Sequence, residues 1–102
     1  MDLLERFRTW FTAQAAALAG LGAELSVGLK PAVAPYCAVA DIDFPRHLAR
    51  ITVWDNGLMD AEMIDWNAAP LYYEHFEVSN EEEMERCLSQ ALAAFISKKS
   101  GE

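Results

Sequence analysis

The sequence predicts an α+β fold in which a five-stranded antiparallel meander sheet carries an N-terminal and a C-terminal helix on one face. Amphipathic helical patterns lie at the two ends of the chain, and five short β-prone segments lie between them. Turn sequences separate the β-prone segments, so the strands are expected to pair in chain order. At 102 residues, of which 53% are hydrophobic, the chain is expected to form a single domain around one core.

The N-terminal helix is predicted at residues 2–19, where apolar residues recur at spacings of three and four. Such spacing places them on one stripe of an amphipathic helix, which would pack against the sheet. The stripe comprises Leu3, Leu4, Phe7, Trp10, Phe11, Ala15 and Leu18. Gly20 and Gly22 are expected to end the helix, because glycine readily adopts the left-handed conformation that follows helices.

The first two strands are predicted at residues 23–29 and 36–41. The first alternates between polar and apolar residues, and the second is rich in β-prone residues. Lys30-Pro31 lies between them and indicates a turn, because proline cannot donate a backbone hydrogen bond to a sheet.

The strands predicted at residues 48–54 and 58–65 carry the strongest local pattern in the sequence. Both alternate with period two on either side of Asp55-Asn56-Gly57. Asn and Gly tolerate positive φ, which predicts a tight hairpin with positive φ at both of these residues. The alternation predicts that Val53 and Met63 lie in the core.

The fifth strand is predicted at residues 71–78, a segment rich in aromatic and β-prone residues. Its two faces are nearly equally apolar, so alternation alone does not decide which one is buried. The two sets are Leu71, Tyr73, His75 and Glu77, and Tyr72, Glu74, Phe76 and Val78. We assign the second set to the core, because Phe76 and Val78 lead into the final helix.

The C-terminal helix is predicted at residues 80–97. Ser79-Asn80-Glu81-Glu82 has the Ser-x-x-Glu form of a capping box, and acidic residues in a first helical turn are favoured by the backbone dipole. The apolar stripe that follows comprises Met84, Leu88, Ala91, Leu92 and Phe95.

The net charge of −8 is unevenly distributed along the chain. Residues 1–54 are neutral overall, residues 55–85 contain ten acidic residues and no Lys or Arg, and residues 86–102 carry +2. Such a chain would repel nucleic acid and anionic membranes, whereas a basic protein surface would be attracted to it. We therefore expect a protein partner with a basic surface.

The side of the sheet away from the helices is the predicted binding surface. It would combine rigid aromatic residues with carboxylates, which is typical of a protein interface for a basic partner. The residues predicted to contact the partner are Trp54, Asp60, Glu62, Ile64, Tyr73, His75 and Glu77.

A search for catalytic groups does not identify an active site in the sequence. Tyr73, His75 and Glu77 would share one face of a strand and could be interpreted as an acid–base cluster, but such a face is more often a solvated or contact surface. Asp41 and Asp43 do not have the further oxygen ligands that a calcium loop requires. No enzyme activity, metal or cofactor is predicted.

The segment 50–57, followed by 59–65, Tyr73-Glu74-His75-Phe76, Ser79 and the acidic run 81–83, resembles the TriTu immunity proteins. The order of elements is also similar across nearly the whole chain. Members of that family are small cytoplasmic antitoxins encoded beside ADP-ribosyltransferase effectors that modify elongation factor Tu and are delivered by bacterial secretion, including type VI secretion. The resemblance implies a stoichiometric inhibitor that covers the active cleft or substrate-docking surface of its toxin and needs no cofactor.

The main alternative is a secretion chaperone, another class of small acidic α+β protein that binds an effector. A chaperone should be a dimer with apolar grooves for an extended segment, whereas an immunity protein should be a monomer that binds a folded toxin domain 1:1. The N-terminus does not have the pattern of a signal peptide, and no apolar run reaches the roughly 20 residues of a membrane span, so a cytoplasmic location is expected. Cys37 and Cys87 are expected to be free thiols.

Overall fold

A computed structural model describes residues 3–30 and 36–99 and contains two helices and five strands. The elements in chain order are α1 (Leu3–Gly20), β1 (Glu24–Lys30), β2 (Cys37–Asp43), β3 (His47–Trp54), β4 (Leu58–Asp65), β5 (Pro70–Glu77) and α2 (Glu81–Lys99). The element ends lie within two residues of those predicted from the sequence. Of the turn predicted at Lys30-Pro31, Lys30 is the last residue of β1, and Pro31 lies outside the described residues.

The five strands form one antiparallel sheet in the order β1-β2-β3-β4-β5. Consecutive strands are neighbours, so the sheet is the predicted meander, and the α+β fold class is confirmed. The edges of the sheet are β1 and β5.

Both helices pack on the same face of the sheet. Alternate residues of the three central strands are buried beneath them, including Ala40, Ile51 and Met63. Val53 is fully buried there as well, as its place in the hairpin predicts. The helices contribute Phe7 and Phe11 from α1, whose ring centroids are 4.9 Å apart, together with apolar residues of α2.

The buried stripe of α1 differs from the prediction at one position. Ala15 is exposed, and Gln14 is half-buried in its place. At about 100° per residue, Ala15 lies about 80° around the helix from Phe7, whereas Gln14 lies only about 20° away. The small side chain of Ala15 therefore sits on the flank of the stripe.

The hairpin between β3 and β4 adopts positive φ at one loop residue instead of two. Gly57 has φ of 95°, and the only described non-glycine residue with positive φ is Ala68, so the expectation for Asn56 was wrong. The Gly57 amide donates to the Trp54 carbonyl at 3.0 Å, and the Asn56 side chain accepts from the Leu58 amide at 3.1 Å. A three-residue loop that ends in a left-handed glycine is a common alternative to the two-residue turn.

The assignment of the faces of β5 is confirmed, except that Glu74, a member of the set assigned to the core, is exposed. Met59 pairs with Phe76 and Met63 pairs with Tyr72, so the set that begins at Tyr72 faces the helices. Leu71 is an exception to its set: a register shift occurs between Met63 and Ile64, and Leu71 packs against the core. The bulge places two consecutive residues of β5 on the helix side.

The capping interactions of α2 are shifted by one residue from the predicted box. Asn80 is the cap residue, and its side-chain oxygen accepts from the Glu83 amide at 2.8 Å. The Glu83 carboxylate in turn accepts from the Ser79 amide at 2.7 Å. Asn is as good an N-cap as Ser, so either register was physically possible.

Candidate functional site

The face of the sheet away from the helices, which we call the outer face, is the candidate functional site. Neither helix packs on it, and its residues alternate along each strand with those that face the helices, although one of them, Val39 of β2, is itself buried. Among residues 3–30 and 36–99, no helix is long and apolar enough to cross a membrane. Within the same ranges no group of three or more His, Cys, Asp and Glu side chains is placed to hold a metal ion.

All seven residues predicted to contact a partner lie on the outer face. Directly opposite residues on neighbouring strands share a face, so the register gives their arrangement. Asp60 pairs with His75, and Glu62 pairs with Tyr73. The remaining predicted residues lie on the same side: Trp54 on β3, Ile64 on β4, and Glu77 on β5 opposite Leu58. Whether these residues contact a partner remains a prediction.

Asp60 is the centre of a hydrogen-bonded cluster on β4 and β5. Its Oδ1 atom accepts from the Tyr73 hydroxyl at 2.9 Å and lies 2.7 Å from Nδ1 of His75. Nε2 of His75 lies 3.6 Å from a carboxylate oxygen of Glu77. The imidazole therefore lies between two carboxylates, and Asp60 orients both aromatic side chains.

The carboxylates of this cluster change the titration of their neighbours. The hydrogen bond to Asp60 is the main cause that raises the pKa of His75, with further contributions from the charges of Asp60 and Glu77. The hydrogen bond to Asp60 also raises the pKa of Tyr73. Both effects favour the protonated form of the aromatic side chain, so His75 adds positive charge to the outer face more readily than an isolated histidine.

Arg50 is a cation on the outer face, and it is already paired. Its Nε atom donates to Oδ1 of Asp41 at 2.7 Å, and its Nη2 atom donates to Oδ2 at 3.4 Å. The hydrogen bond to Asp41 raises the pKa of Arg50, and Glu62, directly opposite on β4, adds to the effect. The pair is more than one-third exposed, so it organises the surface more than it stabilises the fold.

Apolar and aromatic side chains are interspersed with these charges. Tyr73 is 62% exposed, Leu48 and Leu58 are each 37% exposed, and Trp54 and Ile64 are half-buried. Tyr73 is held by its bond to Asp60, which reduces the entropy it would lose on binding. The outer face thus presents pre-oriented aromatic groups beside carboxylates.

A groove of about 860 Å³ lies at the end of the outer face near the C-terminal end of α1. Residues from the first four strands and from α1 line it, among them Glu24, Asp43, Leu48 and Ile64. Sequence reasoning missed Glu24, Asp41, Asp43, Leu48 and Arg50 as surface neighbours. The alternation of residues in β1 and β2 indicated which side chains share a face. Identifying neighbours across strands also requires the register of these strands, and no turn sequence specified that register.

The arrangement of the outer face is suited to recognition more than to catalysis. His75, Tyr73 and Glu77 do come together, as the acid–base interpretation requires, but they lie on an open surface that does not exclude water. Fixed carboxylates on such a surface can accept hydrogen bonds from a cationic partner, and aromatic rings can pack against it.

Comparison with known proteins identifies one family. The family model described as immunity protein TriTu matches residues 5–94, which covers most of the chain and every strand. No curated protein matches the sequence.

Proposed function

The chain belongs to the TriTu family of immunity proteins, and from this membership we propose that it neutralises a cognate toxin in the bacterial cytoplasm by forming a 1:1 protein complex. The family match over residues 5–94 is the observation that carries the antitoxin role. We propose further that the toxin is an ADP-ribosyltransferase effector and that inhibition is stoichiometric.

The outer face of the sheet is the surface that we propose for toxin binding. The helices bury the opposite face in the core, so the outer face is the broad sheet surface left for a partner. It presents Trp54 and Tyr73, residue types that often anchor protein interfaces, together with oriented carboxylates. This combination favours a folded protein surface over a small metabolite as the ligand.

The partner is proposed to have a basic surface. Several acidic residues of the segment 55–85 have structural roles that explain their presence without a partner. Asp65 accepts hydrogen bonds from two backbone amides in its turn, Glu83 accepts from the Ser79 amide just before α2, and Glu85 pairs with Arg6. Glu62, by contrast, accepts no hydrogen bond and forms no ion pair among the described residues. A carboxylate such as that of Glu62, which has no such role in the fold, is available to Lys or Arg of the toxin.

A titration of toxin activity tests the proposed function. The cognate toxin domain would be held at a fixed concentration well above the dissociation constant of the complex, and the purified immunity protein would be added in increasing amounts. Activity should fall linearly and end at one equivalent, and light scattering should give the mass of one toxin plus one immunity protein. Complete inhibition by substoichiometric amounts, or removal of ADP-ribose from a target already modified, would instead show an enzyme.

A further inference from the structure

The groove at the end of the outer face has an apolar floor. Leu48 of β3 pairs directly with Ile64 of β4, and both side chains line the groove while they remain partly exposed. The exposed small residues Ala15 and Ala19 of α1 also line the groove. Its volume of about 860 Å³ leaves room for a long side chain to lie along the Leu48–Ile64 row.

Two carboxylates border this floor, and neither is paired with a cationic side chain among the described residues. Glu24, the first residue of β1, lies directly opposite Asp43, the last residue of β2, and both are exposed. Among the described residues neither forms a hydrogen bond or an ion pair, and the neighbouring Arg50 is engaged by Asp41. Like charges directly opposite each other destabilise a strand pair, so stability does not explain this arrangement.

The row across the end of the sheet thus changes from charged to apolar. In order it runs Glu24, Asp43, Leu48, Ile64. An apolar ligand would strip water from the carboxylates without replacing their hydrogen bonds, and an anionic ligand would be repelled. An aliphatic stem that ends in a cation matches the row, because the stem can lie on the apolar pair while the charged group reaches the carboxylates.

We propose that the groove receives an Arg or Lys side chain of the toxin, with its stem on Leu48 and Ile64 and its cationic group between Glu24 and Asp43. This inference rests on the proposed function and extends the interface to β1 and β2, beyond the residues of β3, β4 and β5 considered above. The groove gives the interface a cation-selective pocket at one end, while the Asp60 cluster lies nearer the other edge of the sheet.

A double substitution that removes both charges without changing size tests the pocket. In Glu24→Gln/Asp43→Asn the dissociation rate of the toxin complex should rise roughly tenfold or more, which is the effect of losing hydrogen bonds to a charged group. The melting temperature of the free protein should stay the same or rise, since the cross-strand repulsion is removed. A loss of affinity without loss of stability distinguishes a binding role from a structural one.

The matched control is Asp55→Asn/Glu82→Gln, which removes the same net charge at two exposed positions outside the groove. It should slow association slightly and leave the dissociation rate unchanged. Equal behaviour of the two double variants would overturn the proposed pocket, because the groove carboxylates would then act only at long range. If the wild-type protein formed no complex with the toxin, the proposed function would fail and the pocket with it. If the wild-type complex forms and the groove variant dissociates from the toxin at the wild-type rate, only the proposed pocket is rejected.

Discussion

At the scale of single residues, the charge of the outer face depends on the protonation state of one histidine side chain. His75 lies between Asp60 and Glu77, and its hydrogen bond to Asp60 raises its pKa above the ordinary value. When protonated, it neutralises part of the charge that a basic toxin would recognise. The position of this residue was predicted from sequence, whereas its contact with Asp60 requires the register of β4 and β5.

His75 should make the stability of the free protein depend on pH in a defined direction. Its pKa is higher in the folded state than in the unfolded state, so its stabilising contribution is fully present below about pH 6.5 and is lost as the pH rises through the folded value. The difference in free energy of unfolding between wild type and His75→Gln should therefore be larger at about pH 5.5 than at about pH 9. Urea unfolding of both proteins across this range measures it, and a difference that grows with pH would contradict the assignment.

At the scale of elements, the hairpin between β3 and β4 shows which structural features the local sequence predicts and which it does not. Period-two alternation and Asp55-Asn56-Gly57 predicted both strands and their faces, because buried and exposed positions follow directly from a known turn. The predicted type of turn was wrong, since the loop is also shaped by a distant contact: the Val78 amide donates to the Gly57 carbonyl at 2.8 Å. Local sequence contains no information about that approach.

The same limit explains the other differences between sequence and structure. The cap of α2 moved by one residue because Ser79 and Asn80 have similar intrinsic preferences for the cap position. The bulge at Leu71 depends on how β5 meets Ile64, and the groove depends on the pairing of β1 with β2. Periodicity predicts which residues share a face, but tertiary contacts determine which of those residues become neighbours.

Replacement of Gly57 by alanine should strongly destabilise the hairpin. An alanine there would be held at positive φ, and its Cβ would lie 2.3 Å from the Val78 carbonyl oxygen. The left-handed backbone alone costs roughly 1–2 kcal/mol, and the displacement of Val78 adds to it. Gly57→Ala should therefore lower the free energy of unfolding by more than about 2 kcal/mol in urea denaturation.

Gly28→Ala is the matched control, because it lies within β1 and a Cβ there would meet nothing within 4 Å. Alanine in a strand is favoured over glycine by roughly 0.5–1 kcal/mol, so this variant should be as stable as wild type or more stable. Similar losses in both variants would mean that the backbone at Gly57 is not the cause.

At the scale of the whole molecule, the acidic segment 55–85 divides into charges with different surroundings. Some carboxylates are used within the fold, as at the cap of α2 and in the pair between Glu85 and Arg6. Others lie on the outer face, and Glu82 is exposed at the start of α2. In the proposed complex the net charge of −8 should therefore act in two ways. Charges at the contact should slow dissociation, and distant charges should speed association with a basic partner.

Position should determine which rate constant a charge reversal changes. Glu62→Lys and Glu82→Lys alter the net charge equally, and both positions are exposed, but only Glu62 lies on the outer face. Glu62→Lys, like Asp60→Lys, should raise the dissociation rate of the toxin complex roughly tenfold or more, because it places a cation against a basic surface at the centre of the contact. Glu82→Lys should mainly lower the association rate and make that rate less sensitive to salt.

For wild type the association rate should fall as ionic strength rises from about 0.01 M to 0.1 M, since the screening length decreases from about 30 Å to about 10 Å. Stopped-flow or surface-based kinetics at several salt concentrations separate the two constants. Association rates that do not respond to salt, together with wild-type dissociation of both outer-face variants, would place the toxin interface elsewhere on the molecule.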